Sequence, residues 1–301
     1  MPLMEVFLSE LILAPDELIE KWNNLTLANN FLFTKVMQNE EICRHTLELL
    51  LNIKIKKLEY THSEVYFKDS YDSRGIRFDV YTTDDKHCYD IEMQTTNKSN
   101  LLKRARYYSS CIDIDTLKSG KDFSELKENI IIFLCLEDPF SMQLPVYTFK
   151  SNCLECSDLP DDETTKVFYN ISQFEKHPNK EVRTFFEFIR TNKPADSFTH
   201  TLSKYAAEAK QNADYRRQYM RIEVELSDKY HEGIAQGIKQ GIEQGIEQGK
   251  LEGRLEGILQ GLNEGKLKTA VIAVNQLNIS PELAAEKFDI PLAQLQAALK
   301  N

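Results

Sequence analysis

Between residues 233 and 265 a glycine stands at every fourth position: Gly233, Gly237, Gly241, Gly245, Gly249, Gly253, Gly257, Gly261 and Gly265. Nine of the chain's 11 glycines lie in this one tract, and the chain around it is helical in character from about Leu202 onward. A helix turns about 100° per residue, so each four-residue step drifts by about 40° and eight steps carry the glycines most of the way around the axis. No flat face results. Each glycine costs a helix roughly 0.8 to 1 kcal/mol relative to alanine, so the nine together disfavour a lone helix by roughly 7 to 9 kcal/mol. Two outcomes are open: a partner helix packs closely against the glycines, or the tract is a mobile connector. The four-residue period is also what expansion of a short DNA repeat leaves behind. Ile234, Ile238, Ile242 and Ile246 each follow a glycine and supply apolar surface that a monomer need not bury. Self-association through this tail is therefore expected.

Beyond the repeat, Thr269 to Leu277 and Pro281 to Phe288 read as short helices, with Ser280 as N-cap and Pro281 at the first helical position. Pro291 can open a third. Short helices with tight joints are compatible with a DNA-reading helix-turn-helix and equally with a small helical cap. The chain thus divides into an α/β domain over residues 16–200, a helical Gly-x-x-x region over 201–268 and a helical cap over 269–301.

Composition removes several classes. No segment approaches the ~20 consecutive apolar residues of a membrane helix. The run Met1 to Leu13 is interrupted by Glu5 and Glu10, with no basic residue before it, and lacks the layout of a signal peptide. Six cysteines spread through such a chain point to reduced thiols and a cytoplasmic setting. Cys153 and Cys156 form a C-x-x-C pair, but no second pair or suitably spaced histidines complete a zinc site, since His177 and His200 are too scattered. A formal net charge of −10 argues against coating nucleic acid through a broadly basic surface. A carboxylate-bearing nuclease site stays possible.

Apolar residues recur at threes and fours from about Asp16 to Asn52, predicting two helices joined near Asn39. The period then changes. Val65 to Phe67, Ile76 to Thr82 and Cys88 to Gln94 read as strands, Leu101 to Cys111 as a helix, and Ile130 to Leu136 as a strand covered on both faces. Pro145 to Phe149 and Lys166 to Ile171 suggest further strands, and Glu181 to Arg190 a helix. This order describes a mixed sheet with helices packed on it, an α/β domain.

Within Ile76 to Tyr81, alternation sends Ile76, Phe78 and Val80 to one face and Arg77, Asp79 and Tyr81 to the other. In the next strand Tyr89, Ile91 and Met93 take the apolar face, and Asp90, Glu92 and Gln94 the polar one. A turn centred between Asp85 and Lys86 sets Asp79 opposite Glu92, Arg77 opposite Gln94 and Tyr81 opposite Asp90. Carboxylates about 4.5 to 5.5 Å apart repel, and a divalent cation turns that repulsion into coordination. A solvent-exposed polar strand face neutralised by Arg77 is the alternative.

The run Arg74-Gly75-Ile76-Arg77-Phe78-Asp79-Val80-Tyr81, then Tyr89-Asp90-Ile91-Glu92-Met93-Gln94, then Lys103-Arg104-Ala105-Arg106-Tyr107-Tyr108 resembles the Rpn family of recombination-promoting nucleases, also described as transposases of the PD-(D/E)XK superfamily. The resemblance covers about Asn23 to Ile171. It implies a restriction-endonuclease-like core, a mixed central sheet flanked by helices, with an all-helical C-terminal region. It implies catalytic roles for Asp79, Glu92 and Gln94, the last standing where the superfamily more often has lysine. Asp79, Glu92 and Glu41 would be the metal ligands, with Glu40 an equally close candidate for the third.

The chemistry implied is phosphodiester hydrolysis assisted by Mg2+, or by Mn2+ in its place. Asp79 and Glu92 would hold the ion and Gln94 would orient a water. Lys98, Lys103, Arg104 and Arg106 put four cations within nine residues, and Lys103, Arg104, Arg106 and Tyr107 are candidates for DNA contact. Without the family, the same run is an exposed helical face. The expectation is a Mg2+-dependent DNA endonuclease of recombination or mobile-element biology. The alternative is a DNA-binding or oligomeric interaction protein whose Gln94 marks lost chemistry.

Overall fold

The structure, a computed structural model, describes residues 15–59, 66–67, 76–96, 99–156 and 158–300. Val65, Arg74, Gly75, Lys98 and the leading run Met1 to Leu13 lie outside the described residues. The chain divides into two compact units, residues 1–225 and 226–301.

The first unit opens with helices α1 (Pro15–Asn23), α2 (Asn30–Met37) and α3 (Glu40–Leu51). The expected joint at Asn39 is present because its side chain accepts from the Ile42 N–H as an N-cap. A further joint was not expected. Asn29 caps α2 in the same way, accepting from Phe31 and Leu32 N–H groups, so three described helices stand where the periodicity predicts two. Left-handed Asn52 ends α3.

Strands β1 (Tyr66–Phe67) and β2 (Ile76–Arg77) pair antiparallel as a small sheet of their own. The main sheet contains β3 (Val80–Thr83), β4 (His87–Gln94), β5 (Glu128–Cys135), β6 (Val146–Phe149) and β7 (Thr164–Asn170) in the order β3-β4-β5-β7-β6. The two central pairings, β4 with β5 and β5 with β7, are parallel, and the two outer ones are antiparallel. Helix α4 (Leu101–Thr116) makes the crossover between the parallel neighbours β4 and β5. It runs beyond the predicted end at Cys111.

Two cores clad the sheet. On one face Ile130, Ile132 and Leu134 join Tyr89, Ile91 and Met93 and the apolar sides of α2 and α3. On the other, Ile131, Phe133 and Cys135 join Leu101, Ala105, Tyr108 and Ile112 of α4. Strand β5 is thus buried on both faces, as its unbroken apolar run predicts. Helix α5 (Lys180–Thr191) and α6 (Ser197–Gln211) pack into the first core through Phe185, Phe186, Phe188 and Leu202.

The single strand predicted over Ile76 to Thr82 is two strands. The ladder breaks at Phe78 and Asp79, so the alternation resets there. Ile76 and Phe78 sit in the α4-side core with Tyr81, not with Val80 as unbroken alternation requires.

Helix α7 (Ala213–Leu277) contains the whole glycine repeat. Thr269 to Leu277 is its last part and not a separate short helix; the i to i−4 ladder persists through the glycines. In the second unit α8 (Pro281–Phe288) begins as predicted, with Ser280 accepting from Leu283 N–H and Pro281 at the first position, and α9 (Leu292–Leu299) follows Pro291. Ala270, Ala284, Ala285 and Leu295 form a small core there. No helix among the described residues is long and apolar enough to cross a membrane.

Candidate active site

The site is built on the hairpin of β3 and β4. Its pairs are Val80 with Ile91, Tyr81 with Asp90, Thr82 with Tyr89 and Thr83 with Cys88, the register that the centred turn predicts. Asp-Lys is a poor two-residue turn, and Asp84 compensates for it. Its carboxylate accepts from the Lys86 N–H at 2.8 Å, the His87 N–H at 2.7 Å and the Tyr89 hydroxyl at 2.8 Å. These bonds hold its pKa below the usual carboxylate range against the effect of its own burial. A slip of one residue would move every side chain to the wrong face, so this turn decides what the site contains.

Beyond Val80 the backbone ladder gives way to side chains. The Asp79 N–H donates to Glu92 Oε1 at 3.0 Å, and the Met93 N–H donates to Asp79 Oδ2 at 3.1 Å. Each carboxylate therefore braces the other strand's backbone at the position where the register sets the two residues opposite. Asp79, Asp90, Glu92 and Gln94 are all buried, Asp90 and Glu92 almost completely. The exposed polar face considered above is excluded.

Arg104 enters this cluster from α4. Ala105, fully buried, and Leu101 and Ile112 hold the helix against the sheet. The guanidinium ion-pairs through Nη2 with Glu92 Oε2, donates from Nη1 to Gln94 Oε1 at 2.8 Å, and donates from Nε to the Tyr108 hydroxyl at 2.9 Å. It also lies over the rings of Tyr108 and Phe133, 5.1 and 5.2 Å from their centroids. Gln94 donates from Nε2 to the Thr96 carbonyl.

Asp90 has no such support: among the described residues neither carboxylate oxygen has a hydrogen-bond partner. Burial, and then the charges of Glu92 and Asp79, push its pKa well above the ordinary range. Burial and Asp79 raise Glu92 likewise, with Arg104 opposing.

Residues 28–193, more than half of the chain, match the model of PD-(D/E)XK nuclease family transposases. The chain belongs to this family. No curated protein and no solved structure matches it. The match spans the five-stranded sheet, the hairpin and α4, so the cluster lies wholly inside the PD-(D/E)XK region.

Nucleases of the PD-(D/E)XK kind generally use divalent metal ions. The residues present fit one. The donors are all oxygen, the chemistry that Mg2+ and Mn2+ take, and the orphaned Asp90 beside Glu92 marks a place where positive charge is wanted. Among the described residues no three His, Cys, Asp or Glu side chains converge as a ready-made cage. Asp79 and Glu92 are therefore the first candidates, with water and substrate oxygens completing the shell, as Mg2+ usually requires.

Of the predicted site residues, the structure brings together Asp79, Glu92, Gln94 and Arg104. Glu41 is not drawn into the group; it and Glu40 lie exposed in the first turn of α3. Lys103, Arg106 and Tyr107 form the outer face of α4, whereas Arg104 points inward. Tyr108 and Phe133, the platform under Arg104, went unassigned in the sequence, although the four-residue spacing of Arg104 and Tyr108 on one helix was visible.

Proposed function

We propose that the protein is a Mg2+-dependent DNA endonuclease, with Mn2+ an effective substitute, acting in DNA recombination or mobile-element biology. The observation that carries this reading is the buried, cross-braced pair of Asp79 and Glu92, beside an Asp90 that has no hydrogen-bond partner among the described residues. Asp79 and Glu92 hold the ion. A bound divalent cation lowers the pKa of a coordinated water and offsets charge that develops on the phosphate. Gln94 takes part from the same strand face, two residues beyond Glu92. DNA reaches the site along α4, where Lys103, Arg106 and Tyr107 present cations and an aromatic ring to the backbone phosphates. Residues 16–200 supply the chemistry, 201–268 the association and 269–301 the cap, in the cytoplasm.

Supercoiled plasmid tests this. The wild type is expected to nick it with Mg2+ and not with EDTA, and Asp79→Ala to lose about 100-fold or more of that rate. Equal nicking by both would assign the activity elsewhere.

Self-association through the tail belongs to the same reading. Ile238, Ile242 and Ile246 are exposed on α7, and a Cβ built on each repeat glycine meets nothing within 4 Å, leaving room for a second helix to approach. A dimer would also bring one site to each DNA strand. Light scattering is expected to give a dimer or larger for the full chain and a monomer for a chain ending near Lys229. Two monomers would leave the tail as a connector.

A further inference from the structure

Arg104 presents an arrangement that a phosphate-contacting surface residue does not need. It is held by three different acceptors, Glu92, Gln94 and Tyr108, and lies over a platform made by the rings of Tyr108 and Phe133, whose centroids are 6.3 Å apart. A guanidinium has five N–H donors and no acceptor. The Gln94 atom facing it must therefore be the oxygen, and the Gln94 amide nitrogen is turned away to Thr96. So placed, Gln94 does not aim its NH2 at a water beside Glu92; it serves as an acceptor for Arg104. A lysine at position 94 would set a second cation against the guanidinium.

We infer that Arg104 is the cationic catalytic group of this site, and that Gln94 is a positioning residue acting through it. The inference rests on the nuclease reading above. The three hydrogen bonds described leave two N–H groups of the fork, one on each Nη, to meet a non-bridging oxygen of the scissile phosphodiester. The rings and the Tyr108 hydroxyl fix the plane of the fork, so charge developing on the phosphate meets a donor already in place. The substrate class recognised is a phosphodiester oxyanion next to the metal-holding carboxylates. The cation comes from α4, not from the strand that carries Glu92.

The experiment compares wild type, Arg104→Gln, Arg104→Lys and the double variant Gln94→Lys with Arg104→Gln. Three quantities are measured on each: thermal stability, Mn2+ affinity by calorimetry, and kcat and KM on a short duplex. Arg104→Gln is expected to stay folded and to bind Mn2+ at least as tightly as wild type, because a cation competing for Glu92 is gone. Its kcat should fall about 100-fold, with KM changed by less than about threefold. Arg104→Lys keeps the charge but not the fork and should recover only part. The double variant returns a cation from position 94 and should recover about tenfold over Arg104→Gln.

The inference is overturned if Arg104→Gln cleaves within about threefold of wild type. It is overturned equally if the kcat loss only tracks a loss of Mn2+ affinity or folding and the double variant recovers nothing, for Arg104 is then a structural ion pair. A wild type that binds Mn2+ and cleaves no duplex sinks the nuclease reading and this inference with it. That outcome is distinct from a wild type that cleaves beside an Arg104→Gln that cleaves equally.

Discussion

Ile132 in β5 and Ile242 in α7 are the same side chain in opposite circumstances: the first is fully buried, and the second is 56% exposed. Burying an isoleucine completely is worth roughly 1.5 to 3 kcal/mol, so the sheet unit draws order from residues such as Ile131, Ile132, Phe133 and Leu134. Over the glycine tract, residues 233–265, the repeat helix has no buried side chain among the described residues. Its apolar side chains at Ile238, Ile242, Ile246, Leu251 and Leu255 face solvent, and its nine glycines weaken it. One region is stable because of what it buries. The other leaves its apolar side chains in solvent. The sheet unit also tolerates a costly feature that the tail could not: acidic side chains taken out of water, one of them without a hydrogen-bond partner among the described residues.

The largest effect should come from deleting a ring in the sheet. Phe133 is fully buried, stacks on Phe168 with centroids 5.2 Å apart, and lies under Arg104. Phe133→Ala is expected to cost about 3 to 5 kcal/mol in urea unfolding. Ile246→Ala, by contrast, should cost under about 0.5 kcal/mol in dilute protein where the tail is unpaired. A large cost at Ile246 that grows with protein concentration would break the contrast and show that the repeat is buried in an assembly.

The next effect concerns protons. Burial, and after it neighbouring carboxylates, raises the pKa of Asp90 and Glu92, so the metal-free folded state holds protons that the unfolded chain has released. With raised folded values, their contribution to stability is full below the unfolded carboxylate range and is lost as pH rises through the folded values. Asp84 and Asp138 are shifted downward by hydrogen bonds and act in the opposite direction, so the informative quantity is a difference between variants. Asp90→Asn removes the buried charge and should exceed wild type in stability by roughly 1 to 3 kcal/mol at about pH 8, with less gain at about pH 5. Mn2+ should narrow the gap by stabilising wild type. A gain independent of pH would mean that Asp90 is not held protonated in the fold.

Much of this site could be read from residue order because its determinants are local. Period-two alternation in Asp90-Ile91-Glu92-Met93-Gln94 and a turn at Asp85 and Lys86 suffice to set Asp79 against Glu92. The apolar run in β5 suffices to place a doubly covered strand beside them. The break at Phe78 and Asp79 was not legible, because it follows from Asp79 exchanging a ladder bond for one to the Glu92 carboxylate, a contact across 13 residues. The inward turn of Arg104 was equally hidden. In sequence it is one of several cations in a basic run, and only the docking of α4 on Ala105 selects it over Lys103 and Arg106. The length of α7 was hidden for a different reason: glycine penalties weigh against a helix without ending it, and no local residue stops the ladder before Leu277.

The smallest effect is also the one whose sign discriminates best. Gly120, in the sheet unit, has φ of +84°, a conformation that side chains with a Cβ adopt only with strain, so Gly120→Ala should destabilise by about 1 kcal/mol although there is space for the methyl group. Gly249 lies in the repeat helix, where a Cβ meets nothing within 4 Å, so alanine has room and the better helix propensity. Gly249→Ala should therefore stabilise the tail by about 0.8 to 1 kcal/mol where the helix stands alone, seen as higher helicity on warming by circular dichroism. Where a second helix packs closely at the glycines, the added methyl group holds the two backbones apart, and the sign reverses for the assembled form while persisting for dilute monomer. Measured at two protein concentrations, Gly249→Ala thus separates an intrinsically helical connector from an association surface, with Gly120→Ala as the control that concentration should not move.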